Sequence, residues 1–299
     1  MRFDVIGFGA LNVDKIFRVE RIAKEGEEGF ILSTMELPGG SAANTVVGLS
    51  RLGLKTGFIG KVASDREGKL LLDDFRREGV NTDCVIIAKM GRSGTVSAFI
   101  DRKGERALYV HPSVNDTLNL KEINLNYAKQ TEFLHLTSMG EKPFQAQKEL
   151  VKELPSVKAS LDIGEIYGRK GLTKLRPLLK RSYVLMPSEN ELKMMIRKGF
   201  KEGANTLLKE GVHIVAVKLG QKGCYVTDGK EKYLIKPFET RVVDTTGAGD
   251  AFCAGFLYGL IKNRDLYECG RLGNFVASKC IEKTGARTGL PQASEINER

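Results

Sequence analysis

Residues 242–259 read VVDTTGAGDAFCAGFLYG. An apolar strand end runs into Asp244, Thr245 and Thr246, then into Gly247-Ala248-Gly249-Asp250, and a helix rich in small residues follows. Successive amides of a Gly-rich turn at a helix N-terminus form an anion site. The N–H groups of Gly247, Ala248 and Gly249 are therefore expected to face a phosphate whose charge grows during transfer. Asp250 would stand at that anion hole. The helix dipole favours its ionised form at neutral pH. As a carboxylate it can accept a proton from an attacking hydroxyl. An ordinary N-cap aspartate is the plain alternative. The glycines flanking Ala248 weigh against it.

Outward from this stretch, short apolar runs alternate with helical patterns. FLHLTS (133–138), ASLDI (159–163), YVLMP (183–187) and IVAVKLG (214–220) read as strands, each separated from the next by a helix. FDVIGFGA opens the chain as another buried strand, and KTGFIGKVA (55–63) is a further one. This alternation predicts a doubly wound α/β fold, a mostly parallel sheet with helices on both faces. Segments 15–37 and 89–110 do not alternate with helices and predict a small β-sheet lid, the latter with a turn at Arg102-Lys103-Gly104. The core would then comprise 1–14, 38–88 and 111–299.

A second motif is LPGGSAANTVVGLSRLG, residues 37–53. Paired glycines let a backbone approach a ligand closely, and small residues lead into a helix. Asn44 falls on its first turn, where its amide suits recognition of hydroxyls. Tight helix packing reads equally well from this segment alone. Asn12 and Asp14 place two polar groups at the carboxyl end of the first strand, where open α/β sheets bind ligands. A polar turn fits those two residues as well.

Other chemistries lack their signatures. The chain has 299 residues, with 47 Lys+Arg against 37 Asp+Glu, a net charge of +10. The basic residues form no long run, so no nucleic-acid partner is expected; a positive field equally attracts a nucleotide triphosphate. Five scattered Cys without CxxC spacing exclude a zinc ribbon and point to reduced, buried thiols in a cytoplasmic protein. Asp4, Asn12 and Asp14 interrupt any apolar leader, and no run approaches the ~20 residues of a membrane span. Gly7-Phe8-Gly9 lacks the third glycine of a dinucleotide fingerprint, and GxxxxGK[ST] and HExxH are absent.

Together, GGSAANTVVGLSRLG…TGFIGKVASD and DTTGAGDAFCAGFLYG resemble the two signatures of PfkB-type carbohydrate kinases of the ribokinase-like superfamily, and the resemblance runs from GFGALNVD to GARTGLP. It implies ATP-dependent, Mg²⁺-assisted transfer of the γ-phosphate to a sugar or nucleoside hydroxyl, with ADP as an alternative donor. It implies Asp250 as base, the amides of Gly247, Ala248 and Gly249 as anion hole, and Asn12, Asp14, Gly39, Gly40 and Asn44 as holders of the acceptor. Lys218, Gly220, Asn274 and Ser188 would lie at the nucleotide. Glu191 would hold Mg²⁺ through water. Asp244, Thr246 and Gly285 match a monovalent-cation loop, for K⁺. A homodimer through the lid is also implied. Ser188 stands where the family's Asn-x-x-Glu motif has Asn. Arg102 and Arg106 on the lid raise a sugar acid or sugar phosphate as the alternative to an unmodified sugar or nucleoside; a silent sugar-binding regulator is the other alternative.

Overall fold

The apolar run FDVIGF forms a strand that pairs in parallel on both sides, with Thr56–Ala63 and with Thr131–Thr137. The computed structural model describes residues 2–297. In chain order its strands are β1 (Phe3–Phe8), β2 (Asn12–Val19), β3 (Ile31–Gly39), β4 (Thr56–Ala63), β5 (Asn81–Ala88), β6 (Gly94–Ile100), β7 (Arg106–His111), β8 (Thr131–Thr137), β9 (Lys158–Asp162), β10 (Ser182–Leu185), β11 (Ile214–Lys218), β12 (Cys224–Thr227) and β13 (Lys232–Ile235). Nine form the main sheet, in the order β13-β12-β11-β10-β9-β8-β1-β4-β5. All its pairings are parallel except β11–β12 and β12–β13.

Helices cover both faces because strands buried on two sides carry apolar residues of both parities. Every residue of β4 is buried. On one face Val5, Phe58 and Phe133 pack with the helices Ser41–Arg51, Arg66–Arg77, Ala248–Ile261 and Leu266–Cys280. On the other, Ile6, Leu134 and Leu161 pack with Glu141–Glu153, Gly164–Leu179, Glu189–Ile196 and Phe200–Lys209. All five cysteines are free and buried. Among the described residues, no helix is long and apolar enough to cross a membrane.

The second sheet has the order β3-β2-β6-β7. Measured against the expected lid of 15–37 and 89–110, it runs from Asn12 to Gly39 and from Gly94 to His111. Asn12 and Asp14 therefore lie within β2, paired with Gly39 and Leu37 of β3, rather than in a turn after β1. Cys84–Ala88 joins the main sheet through β4. β13, a short strand with mixed burial, carries no clear period and was not expected.

Candidate active site

Alternate residues of β2 (Asn12, Asp14, Ile16 and Arg18) face one way, because side chains in a strand repeat every two positions. They line a cavity of about 860 Å³ beneath the second sheet, with Ile100 of β6 and Arg106 of β7. Its floor holds Gly40, Asn44, Gly247, Ala248, Gly249 and Asp250. Gly40 has φ 107°, and a Cβ there would lie 2.2 Å from the Ala10 carbonyl oxygen. Gly39 does not line the cavity. A Cβ on it would meet Asp14 Oδ2 at 2.3 Å, so Gly39 makes room for Asp14. Asn12 accepts a hydrogen bond from Asn115 Nδ2 at 3.0 Å.

Gly247 caps the helix Ala248–Ile261 with φ 78°, in the left-handed region. A Cβ there would come within 2.6 Å of Ala286. The Ala248 N–H donates to the Thr245 carbonyl at 3.2 Å, so this amide is engaged inside the turn. The first amides of a helix have no intrahelical acceptor, and here they sit on the cavity floor. Asp250 follows in that first turn. Burial pushes its carboxyl up to about 7, against the pull of the Asn44 hydrogen bond, Lys218 and Arg287. The expectation of a fully ionised Asp250 at neutral pH is thereby corrected: desolvation outweighs the helix dipole.

Asn44 is buried, and its amide is committed on both sides rather than free for hydroxyls. Its Nδ2 donates to Asp250 Oδ2 at 2.8 Å, and its Oδ1 accepts from Arg287 Nε at 2.8 Å. Arg287 was not anticipated. It lies in the loop after Leu266–Cys280, and nothing in GARTGLP marks it among the other basic residues. Asp14 is also pushed up by burial, to about 6, with Arg287 pulling the other way.

A second cavity, of about 630 Å³, is lined by Ser188, Lys218, Gly220 and Asn274, with Phe238 and Phe252 among its apolar walls. Glu191, Thr245, Ala248 and Gly249 line both cavities, so the two meet at the Gly-rich turn. Lys218 Nζ pairs with Asp162 Oδ2 at 2.8 Å. Burial opposes charge on Lys218, but Asp162, Cys253 and Glu191 outweigh it and hold the ammonium above its ordinary value. Among the described residues, the other oxygen of Asp162 is buried without a hydrogen-bond partner. Ser188 and Glu191 form a capping box: the Ser188 N–H donates to Glu191 Oε2 at 2.7 Å, and the Glu191 N–H donates to Ser188 Oγ at 3.3 Å. Burial, then Asp162, raises the Glu191 carboxyl. The Asn274 amide is spent on the carbonyls of Ile235 and Lys236 at 3.2 and 3.0 Å, which ties β13 to its helix.

Asp244 closes a loop. Its Oδ1 accepts from Thr246 N–H at 3.0 Å and Thr246 Oγ1 at 2.7 Å, and its Oδ2 from Gly285 N–H at 2.9 Å. Burial opposes its charge, but these donors outweigh it, and the carboxyl lies below the usual range. The three residues implied for a monovalent cation are thus brought together, with the Asp244 carboxylate already used by the other two. Among the described residues, no three His, Cys, Asp or Glu cluster as metal ligands would.

The model of the pfkB family of carbohydrate kinases matches residues 3–293. An uncharacterized sugar kinase of Archaeoglobus fulgidus is 50% identical over 251 residues, covering 83% of this chain and 99% of its own. The ATP-dependent ribose-1-phosphate kinase of Halopiger xanaduensis is 29% identical, covering 98% of this chain and 96% of its own. Among solved structures, Arabidopsis thaliana ribokinase complexed with ribose and ATP superposes with a TM-score of 0.88 at 25% identity, covering 100% of this chain and 98% of that one.

Proposed function

The chain belongs to the pfkB family of carbohydrate kinases, and we propose that it transfers the γ-phosphate of ATP to a hydroxyl of a sugar bound under the second sheet, with Asp250 as base. The observation that carries this reading is the meeting of the two cavities at the Gly-rich helix N-terminus, with Asp250 on the floor of the larger one. The acceptor hydroxyl gives its proton to Asp250 as its oxygen bonds the γ-phosphorus. The bond to the β,γ-bridging oxygen breaks, and ADP leaves. Positioning and electrostatics supply most of the barrier reduction in such transfers. The Gly247 and Gly249 amides would receive the charge on the transferring group, the Ala248 amide being engaged inside the turn.

Mg²⁺ bound with the nucleotide would neutralise phosphate charge. Such an ion takes one or two carboxylates plus phosphates and water, and the residues fit that demand. Glu191 lines both cavities, and Asp162 beside it keeps one buried oxygen without a partner. Lys218, Gly220, Ser188 and Asn274 line the cavity proposed for the nucleotide. The second sheet would act as a lid that excludes water on closing.

A specific observation favours an anionic acceptor over an unmodified sugar or nucleoside. Arg18 pairs in register with Ile100, and Ile100 with Arg106, so the two arginines flank one residue on neighbouring strands. Strand spacing puts them about 10 Å apart across the sheet. Both line the larger cavity. Arg102, by contrast, pairs with Glu20 at 3.6 Å. Guanidinium groups suit phosphate and carboxylate, and the Halopiger relative is named for a sugar phosphate. The test is ATP turnover with D-ribose, adenosine, D-gluconate and ribose 1-phosphate, in wild type and in Arg18→Ala/Arg106→Ala. Turnover of an anionic acceptor, with its KM raised in the variant, supports the reading. Preference for a neutral acceptor excludes it.

Ile31, Leu32, Met35 and Tyr109 of the second sheet are exposed and line neither cavity. Apolar surface of this kind marks interaction sites, and we propose a homodimer through the lid. Light scattering at the single-chain mass would refute it.

A further inference from the structure

Arg287 is 7% exposed, although it stands in a loop. A buried cation is costly unless it is paired and hydrogen-bonded. Asp74, on the helix Arg66–Arg77, accepts from Nη1 and balances the charge. Nη2 reaches the Gly39 carbonyl at 3.4 Å. The loop itself is pinned, because Arg51 Nη1 donates to the Arg287 carbonyl at 2.7 Å. Charge balance does not account for the third contact, from Nε to Asn44 Oδ1 at 2.8 Å.

That contact has a geometric consequence. A side-chain amide has one accepting and one donating end. With its oxygen held by Nε–H, Asn44 must turn its NH₂ group toward Asp250, which it meets at 2.8 Å. The opposite orientation would set an oxygen against a carboxylate and a donor against a donor. We propose that Arg287 is a positioning residue for phosphate transfer: anchored by Asp74, it fixes the Asn44 amide, which holds one oxygen of Asp250 and leaves the other for the acceptor hydroxyl. The inference rests on the reading of Asp250 as base.

Asp250 is faced by Asn44 from Ser41–Arg51, by Lys218 of β11 and Asp162 of β9, by Arg287, by Cys253 on its own helix and by Cys280 on the next. Arg287 and Lys218 are the cations in this set. Removing Arg287 therefore raises the Asp250 carboxyl, whereas replacing it by Lys keeps the charge but not the fork that reaches Asp74 and Asn44 together.

The experiment uses Arg287→Lys and the double variant Asp74→Asn/Arg287→Met, which removes both members of the buried ion pair. Rates are measured with ATP and whichever acceptor of the panel above turns over. A ¹³C NMR titration of the Asp250 carboxyl, assigned through Asp250→Asn, needs no acceptor. Arg287→Lys should lose about tenfold or more in kcat, with the KM for ATP held and the acidic limb of kcat in place. In the double variant kcat should fall as well, and both the limb and the NMR titration should move to higher pH. The titration reports the charge of Arg287 at Asp250, whereas the fall in kcat of Arg287→Lys, which keeps that charge, reports the fork that positions Asn44. A folded Arg287→Lys with wild-type kcat would overturn the inference, as would an unshifted titration in the double variant. Should the double variant not fold, Arg287→Lys decides alone. Wild-type turnover in Asp250→Asn would remove the base reading and this inference with it, whereas an inactive Asp250→Asn beside a fully active Arg287→Lys removes the inference only.

Discussion

Asn44 and Asp250, 206 residues apart in the chain, share a hydrogen bond of 2.8 Å on the floor of the larger cavity. Asn44→Ala leaves the Arg287 Nε–H without its acceptor and Asp250 without its donor. An unsatisfied buried group costs about 1–3 kcal/mol. Placed on the transition state, that is a loss of roughly 5- to 150-fold in kcat. Steady-state kinetics should show this loss with the KM for ATP nearly unchanged. A rise in that KM with kcat intact would remove Asn44 from the support of Asp250.

The raised Asp250 carboxyl predicts opposite trends in rate and stability. A base works only when ionised, so kcat/KM for the acceptor should rise with pH through about 7 and level off above. Stability runs the other way. A carboxyl raised in the folded state holds its proton more tightly there than in the unfolded chain, where its value is about 4. Its contribution therefore falls as pH climbs from about 4 to about 7, and stays low above. Asp250→Asn escapes this loss. It should melt above wild type near pH 8, with the gap closing toward pH 5. Equal melting temperatures across that range would contradict the buried, raised carboxyl.

Gly39→Ala tests the space beside Asp14. The new Cβ would lie 2.3 Å from Asp14 Oδ2, and β2 and β3 are paired on either side of the contact. Overpacking of this kind costs about 1–3 kcal/mol. Asp14 should be displaced, raising the acceptor KM about tenfold while ATP binding stays as it was. An unchanged acceptor KM would mean that Asp14 does not hold the acceptor.

The motifs legible in the sequence are local ones. GAGD at 247–250 and GG at 39–40 declare themselves because left-handed backbone and close approach demand glycine within a few residues. The alternation of strands and helices likewise rests on short-range period. What the sequence leaves hidden depends on contacts across the fold. Arg287 acquires its place from Asp74, 213 residues away. Asn44 presents itself as a recognition group until its amide is seen bonded on both sides. Desolvation of Asp250 depends on distant segments closing over it, among them the helix Ser41–Arg51, β9, β11 and the Arg287 loop, whereas the dipole of its own helix can be read locally. Asn12 and Asp14 read as the end of the first strand but open β2, because a strand starting three residues after a glycine looks like a polar turn.

Lys218 and Asp162 form a buried pair with side chains 12% and 9% exposed. Lys218→Met leaves a lone buried carboxylate and should destabilise the protein by about 3–5 kcal/mol. Lys218→Met/Asp162→Asn removes both charges and should recover most of that loss. Urea unfolding of both variants checks this. A double variant no more stable than the single one would show that the pair is not the source of the loss.

The central claim is that Asp250 accepts the hydroxyl proton while the neighbouring cavity holds the nucleotide. Its most direct test is kcat and ATP affinity measured together in Asp250→Asn, with Mg²⁺ and the best acceptor of the panel. Removing general-base catalysis should lower kcat by about 10²- to 10⁴-fold, and calorimetric ATP binding should stay within a few-fold of wild type. Turnover at the wild-type rate in that variant would contradict the account.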